Sequence, residues 1–355
     1  MPERILVAMS GGVDSSLTAA LLREQGFLVE GVTMKLTAGI CCDIASAQAV
    51  CSHLQIPHHV VDMQEEFTRV VIRNFVDEYR CGRTPNPCIA CNDLIKFERL
   101  LSYANEKGFA RLATGHYARI EQDARSKYPA LKKGVDPDKD QSYFLYRLTR
   151  NQMHHVLFPM GELRKTDVRR MAAERGLPAA ERPESQDICF VPENDYRSFL
   201  AEQAPETVRG GEMVLADGTV VGRHEGVAFY TVGQRRGLGV AAENRLYVIR
   251  IDPEKNRVVL GKKEDLAVTA MSVGDCRFAA GDAVGPSFTA QVKVRYRSTP
   301  AAATVRRTSP TIVAVDFSSP VAGVTPGQAA VFYDDDTVIG GGIIENAPMQ
   351  DAMAR

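Results

Sequence analysis

Residues 5–16 constrain this chain more than any other stretch. Ile5-Leu-Val-Ala-Met9 is a short apolar run of the kind found in a buried parallel strand. It opens into Ser10-Gly-Gly-Val-Asp-Ser-Ser16. Leu17, Ala20 and Leu21 then recur at helical spacing, and Gly26 supplies a C-terminal stop. A strand, a Gly-rich turn and a helix in that order imply a parallel sheet covered on both faces. Ligands of such sheets sit beyond the carboxyl ends of the strands.

The alternation continues for about 120 residues. Residues 27–34, 58–62 and 110–114 read as strands, and 45–54, 67–79 and 95–105 as helices. From about residue 197 helical periodicity fades and glycine becomes frequent, as at Gly210, Gly211, Gly218, Gly222 and Gly226. After about residue 268 short strands are expected at 288–297, 311–317, 329–333 and 337–344. They are separated by Ser309-Pro310, Pro326-Gly327 and Asp334-Asp-Asp336. That pattern suits a small antiparallel barrel or sandwich. The expected layout is an α/β domain over 1–196, a small Gly-rich domain over 197–267 and an all-β domain over 268–355.

A net charge of −1 does not announce a nucleic-acid binder, so any RNA contact must come from local basic patches. No run approaches the roughly 18 apolar residues of a membrane span. The opening lacks a basic segment followed by a long apolar one, so no signal peptide is read and a cytoplasmic location is expected. The eight cysteines are then expected to be reduced, catalytic or metal-binding rather than a disulfide scaffold.

The Ser10–Ser16 loop has the makings of a phosphate cradle. Glycines let backbone approach a ligand closely. The following helix aims free N–H groups and a positive dipole end at the loop, and Ser10, Ser15 and Ser16 add hydroxyl donors. The loop matches neither G-x-x-x-x-G-K-[ST] nor G-x-G-x-x-G. A plain well-capped turn is the bland reading; the position between a buried strand and a helix argues against it.

Cys88 and Cys91 lie in Arg83-Thr-Pro-Asn-Pro-Cys-Ile-Ala-Cys-Asn-Asp-Leu-Ile-Lys-Phe97. The two prolines argue for a loop, with Cys91 just ahead of a helix, where a thiolate is favoured. Cys189 sits in Glu184-Ser-Gln-Asp-Ile-Cys-Phe190. Cys51 reads as core, and Cys276 receives no role. Cys88-x-x-Cys91 is half of a zinc site, with no second half in sight; adjacent Cys41 and Cys42 make poor tetrahedral ligands. In Gln291-Val-Lys-Val-Arg-Tyr-Arg297 a period of two puts Lys293, Arg295 and Arg297 on one face of a strand, either a phosphate-contacting surface or a solvated sheet face.

The loop is similar to the pyrophosphate loop of N-type ATP pyrophosphatases, which adenylate an oxygen of their substrate. Further motifs follow in order: Ala113-Thr-Gly-His-Tyr117, Lys139-Asp-Gln-Ser-Tyr-Phe-Leu145, Phe158-Pro-Met-Gly-Glu162, Ile188-Cys-Phe190, Thr231-Val-Gly-Gln-Arg-Arg-Gly-Leu-Gly239, Arg295-Tyr-Arg297 and Thr325-Pro-Gly-Gln328. Together with the cysteine segment, this series resembles the tRNA-specific 2-thiouridylases (MnmA family) from residue 5 to about 345.

The resemblance implies a doubly wound ATP-pyrophosphatase (adenine nucleotide alpha hydrolase-like) domain ahead of the two smaller ones. It implies adenylation of C2 of the wobble uridine of tRNAs for Lys, Glu and Gln. Sulfur then comes from a persulfide on Cys189 with Cys91 as the second catalytic cysteine, and a Cys91–Cys189 disulfide closes the cycle. ATP would meet Ala8, Met9, Ser10, Gly11, Gly12, Val13, Asp14, Ser15, Met34 and Gly115, with Mg²⁺ at the pyrophosphate. The target base would meet Asn86, Pro87 and Cys88. His116, Lys139, Asp140, Gln141, Arg295, Tyr296 and Gln328 would touch tRNA, and a persulfide relay protein would supply sulfur.

Family members often carry Asp where this chain has Cys88. Cys88, Cys91 and Cys189 therefore also suggest ligands for a [4Fe-4S] cluster that carries sulfide, beside a metal-free persulfide route. Another adenylating tRNA thiolase, or a non-catalytic metal-binding RNA-binding protein, are the remaining alternatives.

Overall fold

The computed structural model describes residues 2–37, 43–122, 128–182, 188–241, 244–279 and 284–346. Cys41, Cys42 and residues 184–187 lie outside them. The chain forms two compact units. The first is Met1–Val71 with Cys88–Phe190 and Asp336–Val338; the second is Ile72–Pro87 with Val191–Asp335 and Ile339–Arg355.

In the first unit, β1 (Arg4–Ala8) leads into α1 (Val13–Glu24), β2 (Leu28–Lys35), α2 (Ile44–His53), β3 (His58–Asp62) and α3 (Gln64–Phe67). A π-helical turn, Thr68–Ile72, follows α3 and leads to α4 (Arg73–Arg80). The spacing predicts a loop at 83–94 and a helix from 95. Instead α5 (Pro87–Ala90) runs through a π-helical stretch, Cys91–Leu100, into α6 (Leu101–Glu106). Proline is tolerated in the first helical turn, because its missing N–H has no partner there anyway. Cys88 therefore occupies the first turn, and Cys91 lies inside the helix rather than ahead of it.

After α6 come β4 (Arg111–Ala113), a hairpin of β5 (Ala118–Gln122) and β6 (Pro129–Lys133), then α7 (Arg150–His154), β7 (Val156–Leu157) and α8 (Lys165–Glu174). The sheet order is β3-β2-β1-β4-β7, parallel throughout. Ile5, Leu6 and Val7 are fully buried, as a strand covered on both faces demands. Leu17 and Ala20 of α1 share that core with Val168 and Ala172 of α8. β1 has β2 on one side and β4 on the other, so a crevice opens beyond Ala8 and Ala113, where such sheets take ligands.

The second unit contains α4 and α9 (Tyr196–Gln203), whose Tyr79 and Tyr196 rings stack 6.1 Å apart. A mixed sheet has the order β10-β11-β8-β9, from β8 (Gly211–Leu215), β9 (Val220–His224), β10 (Tyr247–Asp252) and β11 (Arg257–Gly261). The remaining strands are β12 (Ala267–Phe278), β13 (Ser287–Lys293), β14 (Ala301–Arg307), β15 (Val313–Ala322), β16 (Ala329–Asp334) and β17 (Thr337–Asn346). β12 pairs with both β15 and β17, which closes a six-stranded antiparallel barrel. Of the barrel and the sandwich, the chain builds the barrel, and Val273, Val305, Val313, Val315 and Phe332 fill it.

β13 ends at Lys293, four residues short of the expected strand end. Ser298 Oγ accepts from Arg295 N at 3.2 Å and turns the chain there. Lys293, Arg295 and Arg297 therefore do not line one strand face.

Candidate functional site

The Ser10–Ser16 loop closes on itself through its serines. Ser15 Oγ accepts from Ser10 N at 3.2 Å and donates to Gly12 O at 3.0 Å; Ser16 Oγ donates to Gly12 O at 2.8 Å. Gly12 is the N-cap of α1 and offers no side-chain cap, which leaves the first N–H groups of the helix for a ligand. Gly11 has φ +77°, and a Cβ there would lie 3.0 Å from Asp43 O and Ser46 Cβ. A Cβ on Gly115, beyond β4, would lie 2.9 Å from Ser15 N. Gly11 therefore lets the loop pack against the start of α2, and Gly115 lets the backbone beyond β4 pack against the start of α1. Met34 is buried near the end of β2.

Three residues outside the expected set, Tyr117, Lys165 and Arg182, hold this loop. Asp14 accepts from Tyr117 Oη at 2.6 Å and from Lys165 Nζ at 2.6 and 2.8 Å. Arg182 donates to Gly11 O at 3.1 Å and to Asp43 Oδ2 at 2.6 Å. Asp43 caps α2 through Ser46, and the Ser46 and Arg182 donors hold its carboxyl down at about 2. The sequence signal for Lys165 is faint: a lysine at the start of a helix looks like any surface cation.

The cysteines gather in the same unit. Cys88, Cys91 and Cys189 are not joined in a disulfide. Cys91 is buried, while Cys88 and Cys189 keep open surface. The surrounding protein nevertheless pushes the Cys88 thiol up by desolvation. The Lys96 ammonium pulls it back, and Cys189 adds to the upward shift, so Cys189 lies within electrostatic reach of Cys88. Phe190 anchors the Cys189 segment by packing edge-on against Phe67, with ring centroids 5.7 Å apart. Among the described residues no three His, Cys, Asp or Glu side chains gather to hold a metal, so Cys88, Cys91 and Cys189 do not fit a cluster as they stand.

His116 is buried between Phe97 and Phe158, at 5.9 and 5.8 Å, with Nδ1 2.7 Å from Thr114 Oγ1. Burial, aided by Lys96, pushes its pKa well down and keeps the ring neutral. Asp140 is buried and occupied internally, accepting from Gly134 N and from Ser142 N and Oγ. Gln141 brackets Tyr117: its Oε1 accepts from Tyr117 N and its N donates to Tyr117 O. Lys139 is half-buried.

In the second unit, Arg295 donates to Val232 O at 2.7 Å and to Thr325 Oγ1, so its guanidinium serves as an internal strut. Lys293 Nζ lies over the Tyr296 ring. Gln328 Nε2 donates to Thr84 O at 2.8 Å and Pro85 O at 3.3 Å, fastening the backbone just ahead of Asn86 and Pro87.

Three family descriptions match in series: a tRNA methyl transferase HUP domain over residues 3–193, a tRNA methyl transferase PRC-barrel domain over 197–262 and an aminomethyltransferase beta-barrel domain over 268–344. Full-length relatives are more specific. A protein named tRNA-specific 2-thiouridylase MnmA 1, from Caldanaerobacter subterraneus subsp. tengcongensis, is 44% identical over 97% of this chain and 98% of its own. Those named tRNA-specific 2-thiouridylase MnmA from Carboxydothermus hydrogenoformans and Geobacter metallireducens are 46% and 48% identical, each over 97% of this chain and over 98% and 97% of their own. Identity of this order along the whole length, across all three domains, makes this chain a member of the tRNA-specific 2-thiouridylase MnmA family.

Proposed function

We propose that this enzyme is an ATP-dependent tRNA-uridine 2-sulfurtransferase acting on the wobble uridine of tRNAs for Lys, Glu and Gln. The observation that carries the reading is that one compact unit of a family member holds both the Gly-rich turn between β1 and α1 and Cys189 within electrostatic reach of Cys88.

The C2 oxygen of uridine is a poor leaving group until it is activated. That oxygen attacks the α-phosphorus of ATP, and pyrophosphate leaves. ATP meets Ala8–Ser15, Met34 and Gly115. Mg²⁺ would be held by water and phosphate oxygens, because Lys165 and Tyr117 already engage the Asp14 carboxylate. When bound, it neutralises the leaving pyrophosphate.

The outer sulfur of a Cys189 persulfide then attacks C2, and AMP leaves with the C–O electron pair. The Cys91 thiolate attacks the Cys189 sulfur of the resulting C2–S–S–Cys189 link. The S–S electron pair passes to the uridine sulfur, and a Cys91–Cys189 disulfide forms. A dithiol reductant returns two electrons to that disulfide. Alternatively Cys91 attacks first and releases hydrosulfide; both orders end in the same disulfide.

Asn86, Pro87 and Cys88 meet the flipped base, and Lys139 and Tyr296 are tRNA contacts. His116 contributes a neutral ring, and Gln141, Arg295 and Gln328 shape the surfaces they brace. The sulfur donor is a persulfide relay protein, and the reaction is cytoplasmic. The domain limits 1–196, 197–267 and 268–355 belong to the same reading.

The test is mass spectrometry of nucleosides from unmodified tRNA incubated with Mg-ATP and a persulfide source. Wild type is expected to form 2-thiouridine, and Cys91→Ser and Cys189→Ser to form none. ATP cleavage to AMP and pyrophosphate without 2-thiouridine would leave only the adenylating core.

A further inference from the structure

We propose that Lys96 supplies the cation that stabilises the anionic sulfur of the cysteine pocket during transfer. The proposal rests on the sulfurtransferase reading and adds a catalytic group to it.

Lys96 belongs to the same continuous helix as Cys88 and Cys91. Side chains on a helix lean toward its N-terminus, so a lysine there reaches back toward the turns that carry both thiols. Lys96 does so: its Nζ donates to Asn92 Oδ1 at 2.9 Å, one turn back. Asn92 is buried and held in turn by donation from its Nδ2 to Phe144 O at 3.2 Å. A buried, doubly fixed amide thus sets the direction of the ammonium.

The charges around Lys96 leave its ammonium unneutralised. Asp93, the acid nearest on the helix, is paired with Arg147 at 2.7 Å, and both are buried. Among the described residues Lys96 has no ion pair. The groups it acts on are Cys88, a thiol that desolvation pushes up, and His116, a neutral ring; Cys189 also bears on Cys88. A half-buried cation whose neighbours are a neutral thiol, Cys88, and a neutral imidazole has no structural counter-ion. It is placed for an anion that appears only during reaction.

The proposed chemistry supplies such an anion at two points. The persulfide attacks C2 as RS–S⁻, and Cys91 attacks the Cys189 sulfur as a thiolate. Neither step needs Lys96 to lose or gain a proton. The ammonium lowers the cost of the negative sulfur in a partly desolvated pocket, as fixed donors do for developing charge elsewhere.

Lys96→Gln keeps a donor for Asn92 Oδ1 and removes the charge; Lys96→Arg keeps the charge. Three readouts separate the outcomes: ATP–pyrophosphate exchange, single-turnover 2-thiouridine formation across pH, and mass-resolved alkylation of Cys88 by iodoacetamide across pH. For Lys96→Gln, thiolation at pH 7 is expected to fall by at least about tenfold while exchange stays within about twofold of wild type. The acid limb of the thiolation profile and the Cys88 alkylation midpoint are both expected to move up by about one pH unit. Lys96→Arg is expected to recover most of the loss.

The proposal is overturned if exchange, thiolation and melting temperature fall together with neither midpoint shifted and no rescue by Arg. That result would make Lys96 a structural donor to Asn92. If wild type itself forms no 2-thiouridine, the sulfurtransferase reading falls and the proposal falls with it. The wild-type control distinguishes the two failures.

Discussion

Lys165 Nζ stands 2.6 Å from Asp14 Oδ1, tying the first turn of α8 to the first turn of α1. The Lys165 side chain is 9% exposed and that of Asp14 31%, so the pair is sheltered on the lysine side and open on the loop side. Removing one partner leaves the other charge poorly solvated. Lys165→Met is expected to cost about 3 kcal/mol, the lower end of the range for breaking a buried pair, read by urea denaturation. The Asp14→Asn/Lys165→Met double variant is expected to lose less than the sum of the two single losses, because neither charge is then stranded.

Gly115 gives a sharper test of the ATP cradle. A Cβ there meets the backbone of Asp14 and Ser15 at 2.9 Å. Gly115→Ala is therefore expected to lower ATP–pyrophosphate exchange by at least about tenfold, since misplacement by a fraction of an ångström is enough. Gel-shift affinity for tRNA is expected to stay close to wild type. Equal loss of both would point to general unfolding.

Arg295 and Arg297 separate an internal strut from a phosphate contact. Arg295 spends its donors on Val232 O and Thr325 Oγ1, while Arg297 is exposed. Arg295→Ala is expected to lower the melting temperature and leave the slope of log affinity against log salt unchanged. Arg297→Ala is expected to leave melting alone and reduce that slope by about one phosphate equivalent. The reverse pattern would restore Arg295 as the RNA contact.

Asp43 predicts an acid dependence. Its folded pKa of about 2 lies below the ordinary aspartate value of 3.8, so its contribution is present above the unfolded pKa and fades as pH falls through the folded one. Between about pH 4 and pH 2, wild type is expected to lose stability more steeply than Asp43→Asn, with the two converging at the acid end. Its carboxylate is partly solvent-screened, so the difference is expected to be small. Denaturant midpoints across that window would show it.

The sequence makes the strand–loop–helix at 5–24 legible because local signals and tertiary role agree there. The same is true of β3, found at the expected residues His58–Asp62. It fails where context decides. Pro85 and Pro87 look like loop residues, yet Pro87 starts a helix and moves Cys91 inside it. Alternating Lys293, Arg295 and Arg297 read as a cationic strand face, and one serine hydroxyl at Ser298 ends the alternation. β5, β6 and β14 carry no clean alternation; each pairs with a neighbouring strand, and β6 also pairs with β17 at Thr337, far along the chain. Within the site, the glycines and cysteines announce themselves. Lys165, Arg182 and Asn92 matter through partners that only the fold brings near.

The clasp of Gln328 on Thr84 and Pro85 spans 244 residues of sequence. During synthesis, the segment that leads into the cysteine helix emerges long before the residue that fastens it. At roughly 5–20 residues per second the interval is about 10–50 s. For that time a nascent chain exposes Cys88 and Cys91 on a segment whose anchor has not yet been made. A message cut short before codon 328 yields a chain in which the Thr84 and Pro85 carbonyls lack the Gln328 amide that fastens them.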